Sequence, residues 1–123
     1  MAWGAEAQIT TALALTSNIV FGNPSTAVAL NVGESAEVQI SAAFTGTATA
    51  DLFVRVVASN DGVRWDTILY MSGMSIGRVV STTQTRTIIV RGVKTFRIEY
   101  AQSVSDAQAI AVNTWAQKDG INI

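Results

Sequence analysis

Short runs of Val, Ile, Thr and aromatic residues, each alternating in polarity and each ended by Gly, Asn, Asp or Ser, fill most of this chain. A period of two places successive side chains on opposite faces, so such runs fold as strands, and helical spacing is hard to find anywhere. Leu52, Val54, Val56 and Ala58 share one face of the strongest run, and Phe53, Arg55, Val57 and Ser59 share the other. A strand apolar on both faces is expected at the centre of a sheet, partly covered twice.

The remaining runs follow in order. Ala7 to Phe21 carries Ile9, Leu13 and Leu15 among threonines and ends at the loop Gly22-Asn23-Pro24-Ser25. Val28, Leu30 and Val32 lead through Gly33-Glu34 to Val38, Ile40, Ala42 and Phe44, a pair that reads as a hairpin. Asn60-Asp61-Gly62 predicts a tight turn into a strand from Val63 to Met71. Gly73 and Gly77 are expected to bracket a flexible crossing. Thr85 to Arg91 predicts a strand with Ile88 and Val90 on one face, and Gly92-Val93-Lys94 turns the chain back. Phe96, Ile98 and Tyr100 face away from Thr95, Arg97 and Glu99, and a closing strand alternates Ile110, Val112 and Thr114 with Ala111, Asn113 and Trp115, after a turn at Ser103 to Asp106. The expected fold is all-β, a single antiparallel β-sandwich of jelly-roll type with about eight strands. At 123 residues one domain, residues 1–123, is expected, because domains cluster at roughly 100 to 150 residues.

Composition narrows the function. Hydrophobic residues make up 49% of the chain and charged residues 14%, against roughly 25% in an ordinary soluble domain. A surface so poor in charge is covered by neighbouring subunits or dressed in Ser, Thr, Asn and Gln. The net charge of −1 cannot concentrate a polyanion, so nucleic acid is not an expected partner. Thr, Ser, Asn and Gly interrupt every apolar segment, so no membrane span is expected. The apolar stretch Ala12 to Phe21 is preceded by Glu6 and by no Lys or Arg, unlike a secretory leader.

The chain has no histidine and no cysteine, which removes the Ser-His-Asp and Cys-His constellations and the commonest zinc and haem ligands. No phosphate-cradling glycine motif occurs. Most carboxylates, among them Glu34, Asp61, Asp66, Asp106 and Asp119, sit in or beside predicted turns, where solvated acids are the ordinary case. Asn60, Asp61 and Asp66 cluster at one turn, but their spacing is not that of a calcium loop. The expectation is a non-enzyme with no catalytic, cofactor or metal residues.

Candidate contact residues are aromatic or basic. Trp3, Phe21 and Trp115 are candidate interface anchors, with residues 1–21 as a possible contact arm. Arg86, Arg91 and Lys94, with Arg97, crowd one predicted hairpin and offer either a basic contact surface or edge-strand charges that deter pairing. Trp65 or Trp115 as a stacking platform with Asp61 or Arg64 as polar partners makes the alternative, a glycan contact.

Two resemblances add to this. The stretch Val56 to Thr67, with its Ser59-Asn60-Asp61-Gly62-Val63-Arg64-Trp65 core, and the later Thr95-Phe96-Arg97-Ile98 resemble the hairpin and strand of discoidin-like sandwiches. That resemblance implies fold only. Gly33-Glu34, then Val38 to Gly46, then the Ser59 to Asp66 stretch, then Thr95 to Ile98 resemble small β-sandwich virion proteins of tailed bacteriophages, over roughly residues 28–115. This second resemblance implies a capsid decoration or cement protein on the outer shell, partnered by the major capsid protein and by copies of itself, often as a trimer. A tail or baseplate structural protein and a carbohydrate- or receptor-binding module are the alternatives.

Overall fold

The computed structural model describes residues 2–15, 21, 24–104 and 110–120. They form eight strands: β1 (Ala2–Leu15), β2 (Val28–Ala29), β3 (Ser35–Ala43), β4 (Leu52–Ser59), β5 (Met71–Ile76), β6 (Thr83–Arg91), β7 (Thr95–Gln102) and β8 (Ile110–Gly120). Two four-stranded sheets have the orders β1-β8-β3-β6 and β2-β7-β4-β5, every pair antiparallel. First pairs with last, second with seventh, third with sixth and fourth with fifth. That is one long hairpin wrapped into two layers, the jelly-roll order, and it agrees with the sequence expectation.

The inward rows are those that alternation marks. Val38, Ile40 and Ala42 of β3, Leu52, Val54 and Val56 of β4, Phe96 and Ile98 of β7, and Ile110 and Val112 of β8 are buried between the layers. The Tyr100 hydroxyl crosses the gap and shares hydrogen bonds with Thr10 (2.8 Å) and Thr114, so a polar link joins β7 to β1 and β8 inside an apolar core. Its burial raises the phenol above its usual pKa. A buried hydroxyl left unpaired is costly, and the two threonines remove that cost.

The structure departs from the sequence expectations at several places. Residues 28–32 and 38–44 are not a hairpin: β2 pairs with β7 and β3 with β6 and β8, so the turn at Gly33 (φ 84°) arches between layers. The Gly92 turn likewise passes from β6 in one layer to β7 in the other. Alternation followed by a tight turn describes an arch as well as a hairpin, because the turn chemistry is the same. Val63 to Met71 is not a strand either. Pairing after β4 is limited to a bridge between Ser59 and Trp65 and resumes at Met71, opposite Val56, while Val63 and Ile68 stand exposed. Gly73 lies inside β5 rather than in a crossing. The proposed contact arm, over Ala2–Leu15, is an edge strand laid along β8, with Ile9 and Leu15 in the core. The turn expected at Ser103 to Asp106 runs beyond the described residues after Val104.

Candidate functional site

The outer face of the β2-β7-β4-β5 sheet carries an ordered row of charge and aromatic rings. Register places Arg55 of β4 opposite Glu99 of β7, and Val57 opposite Arg97. Glu99, only 5% exposed, receives Arg55 Nε at 2.6 Å on Oε1 and Arg97 Nη2 at 2.9 Å on Oε2. Each guanidinium is in turn stacked on a ring, Arg55 over Phe21 at 4.4 Å and Arg97 over Trp65 at 4.3 Å. A carboxylate held between two arginines is neutralised where it lies, and each arginine face meets an electron-rich ring. The row therefore pins Phe21 and the 60–70 loop onto the sheet. Sequence reasoning missed Arg55 and Glu99; the available signal was one polar side chain of each sign on the outward side of two apolar strands.

The glycan candidates sit in that loop and are engaged within it. Asp61 Oδ1 accepts the N–H groups of Val63 (2.9 Å) and Arg64 (2.8 Å), and Oδ2 accepts Arg64 Nε at 3.1 Å. Ser59 Oγ donates to Asp61 and accepts the N–H of Gly62 at 2.9 Å. The backbone N–H groups of Arg64 and Val63, then the Arg64 side chain, hold the Asp61 carboxyl far below the usual carboxylate range. Trp65 is half-buried with one ring face taken by Arg97. No group of three or more acidic, His or Cys side chains that could hold a metal ion occurs among the described residues.

The outer face of the other sheet is different in kind. Register aligns Gln8, Trp115, Gln39 and Thr87 in one row across β1, β8, β3 and β6. The adjoining rows are Asn113, Ser41 and Thr85 on one side, and Glu6, Gln117, Glu37 and Ile89 on the other. Half-buried Trp115 thus lies mid-face among amides, hydroxyls and small residues. Asn113 has a local task that sequence reasoning missed. Where β1 bulges at Ala12 (φ 44°), Asn113 Oδ1 accepts the N–H of Ala12 at 2.8 Å and Gln8 Nε2 at 3.0 Å.

The remaining interface candidates do not form one patch. Arg86 lies on the inward side of β6, opposite Ile40, and donates to the Ser75 carbonyl oxygen of β5 at 3.2 Å. Arg91 and Lys94 line a groove of about 1320 Å³ at one end of the sandwich, together with Leu30, Val32, Ile89 and Asp119. Asp119 Oδ1 is buried there with no hydrogen-bond partner among the described residues. Phe21 belongs to the opposite sheet, against Arg55. The Trp3 backbone pairs with Asp119, and the Trp3 side chain lies outside the described residues.

No family model, curated protein or solved structure matches this chain.

Proposed function

We propose that this chain is a structural virion protein of a tailed bacteriophage, a decoration or cement protein that binds the outer capsid surface as a homo-oligomer and acts by protein contact without catalysis. The observation that carries this reading is the outer face of the β1-β8-β3-β6 sheet. Its middle rows hold Trp115 among Gln8, Gln39, Thr85, Thr87 and Asn113 and no charged side chain. Interface centres are depleted in charge and enriched in aromatics, whereas a face that meets only water gains Lys and Glu. The opposite face has its charges paired and its rings stacked, so it has less to offer a partner. The virion setting comes from the resemblance over residues 28–115, and jelly rolls are common among capsid proteins.

Bridging stabilises a shell by mass action, since the decoration protein binds only where neighbouring capsid subunits are assembled. The test is co-sedimentation with purified undecorated shells, with Trp115→Ala and Gln39→Lys as face variants. Saturable binding by the wild-type chain, a higher shell melting temperature and loss of both in the variants are expected. Failure to bind shells from any tailed phage tried would count against the reading, and saturable quenching of Trp fluorescence by a sugar would transfer the face to glycan recognition.

A further inference from the structure

Among the described residues nothing pairs with the outer edge of β6 in the same sheet, and the phase of its hydrogen bonds can be fixed from two places. Phe44 donates its N–H to the Thr82 carbonyl oxygen at 3.0 Å, which puts the even-numbered residues in the bonds that join β6 to β3. At the other end the Tyr70 hydroxyl donates to the Arg91 carbonyl oxygen at 2.7 Å and accepts the Arg91 N–H at 3.3 Å, so the odd-numbered residues direct their backbone groups away from β3. Tyr70 therefore caps one end of the edge. Between the ends, Thr85, Thr87 and Ile89 present N–H and C=O groups that no described residue bonds. The segment contains no Pro or Gly and is rich in β-branched residues. Such an edge is a template for another strand.

We infer that this edge is an interface between two copies of the chain, joined antiparallel through β6 about a two-fold axis at Thr87. The occupant follows from self-complementarity. Centred on Thr87, Thr85 meets Ile89 of the second copy on outward-bonding positions, and the ladder stops short of Arg91, whose outward groups Tyr70 holds. Arg86 meets Ile88, so no charge faces its like. A closed isologous pairing of this kind is the commonest form of homo-oligomer. The two β1-β8-β3-β6 sheets then run on as one, and the uncharged face around Trp115 is doubled across the axis. The inference deepens the proposed function, on whose homo-oligomer it rests, by naming the contact between copies.

Thr87→Pro tests it, because proline removes an outward N–H and leaves the bonds to β3 in place. Native mass spectrometry and sedimentation should show a dimer for the wild-type chain and for Thr87→Ala. For Thr87→Pro the dissociation constant should rise by roughly a hundredfold, since the two-fold axis removes two hydrogen bonds at once. Should Thr87→Pro fail to fold, hydrogen exchange on the wild-type chain decides: the amides of Thr85, Thr87 and Ile89 should gain protection as concentration rises. A monomeric wild type, an oligomer indifferent to Thr87→Pro, or edge amides whose exchange ignores concentration would overturn the inference. A monomer that binds shells would remove this contact and leave the shell-binding role in place; a dimer that ignores shells would do the reverse.

Discussion

Arg97 lies with its guanidinium carbon 4.3 Å from the centre of the Trp65 ring and its Nη2 2.9 Å from Glu99 Oε2. Trp65 comes from a loop tied to β4 by the Ser59 bridge and by the Asp66 and Tyr70 N–H groups on the Ala58 and Val56 carbonyl oxygens, and this stack, with the Asp61 hydrogen bonds, adds to its hold on the sheet. Replacing Arg97 by Lys keeps the charge and loses the planar contact. A loss of about 1 kcal/mol is expected in urea unfolding, together with red-shifted Trp emission, because an ammonium does not stack as a guanidinium does.

Glu99→Gln should cost more, about 2–3 kcal/mol, because it leaves two arginines side by side without their shared counter-charge. The figure is held below that of a fully buried pair because Arg55 and Arg97 retain 31% and 25% of their side-chain exposure. Chemical denaturation of the single variants and of Arg55→Ala/Glu99→Gln measures the coupling. A double variant no worse than Glu99→Gln alone is the expected result.

Tyr100→Phe removes the hydroxyl that Thr10 and Thr114 share. Two buried threonine hydroxyls lose a partner, and a destabilisation of about 1–3 kcal/mol follows. Adding Thr10→Val and Thr114→Val should restore part of it, since an apolar core of the same shape has nothing left unpaired. The alkaline limb moves with Tyr100 as well. Its folded pKa lies above the unfolded value, so its contribution is complete below the unfolded pKa and is lost as pH rises through the folded one. Tyr100→Phe should therefore lose less stability than the wild type between neutral and strongly alkaline pH.

Asp61 has the opposite sign. Its folded pKa is depressed, so its hold on the loop is present above the ordinary carboxylate range and disappears only as pH falls through the lower folded value. Trp65 emission followed through acid titration should change at lower pH than a free carboxylate would titrate. In Asp61→Asn the altered emission should already be present at neutral pH.

Gly92 occupies φ 78° with open space where a Cβ would stand. Gly92→Ala therefore costs backbone strain alone, about 1–2 kcal/mol, with no clash to relieve. Thermal melts should show the loss while far-UV circular dichroism stays unchanged.

Alternation made the inner face of this molecule legible before its partners. Val38, Ile40, Val54, Val56, Phe96, Ile98, Ile110 and Val112 fall inward on period-two parity alone. Which strand pairs with which was less accessible, since an arch at Gly33 and a hairpin share the same turn residues. Tertiary pairing between first and last strands leaves no local mark. The same holds for the outer faces. Arg97 and Glu99 were recognisable as one side of β7, but their meeting with Arg55 depends on the β4–β7 register, and Phe21 reaches Arg55 from 34 positions earlier in the chain. The 60–70 loop misled because Trp65 and Ile68 have strand-like character, yet Asp61 draws the chain into its own hydrogen bonds before a ladder can form.

The pairing of β1 with β8 sets when this domain can finish folding. A nascent chain leaving the ribosome cannot complete its first layer until the final strand has emerged, so β1 waits beside no neighbour while the rest is made. Closing so large a loop is entropically slow, and refolding in milliseconds to seconds rather than microseconds is the kinetic signature of such wiring.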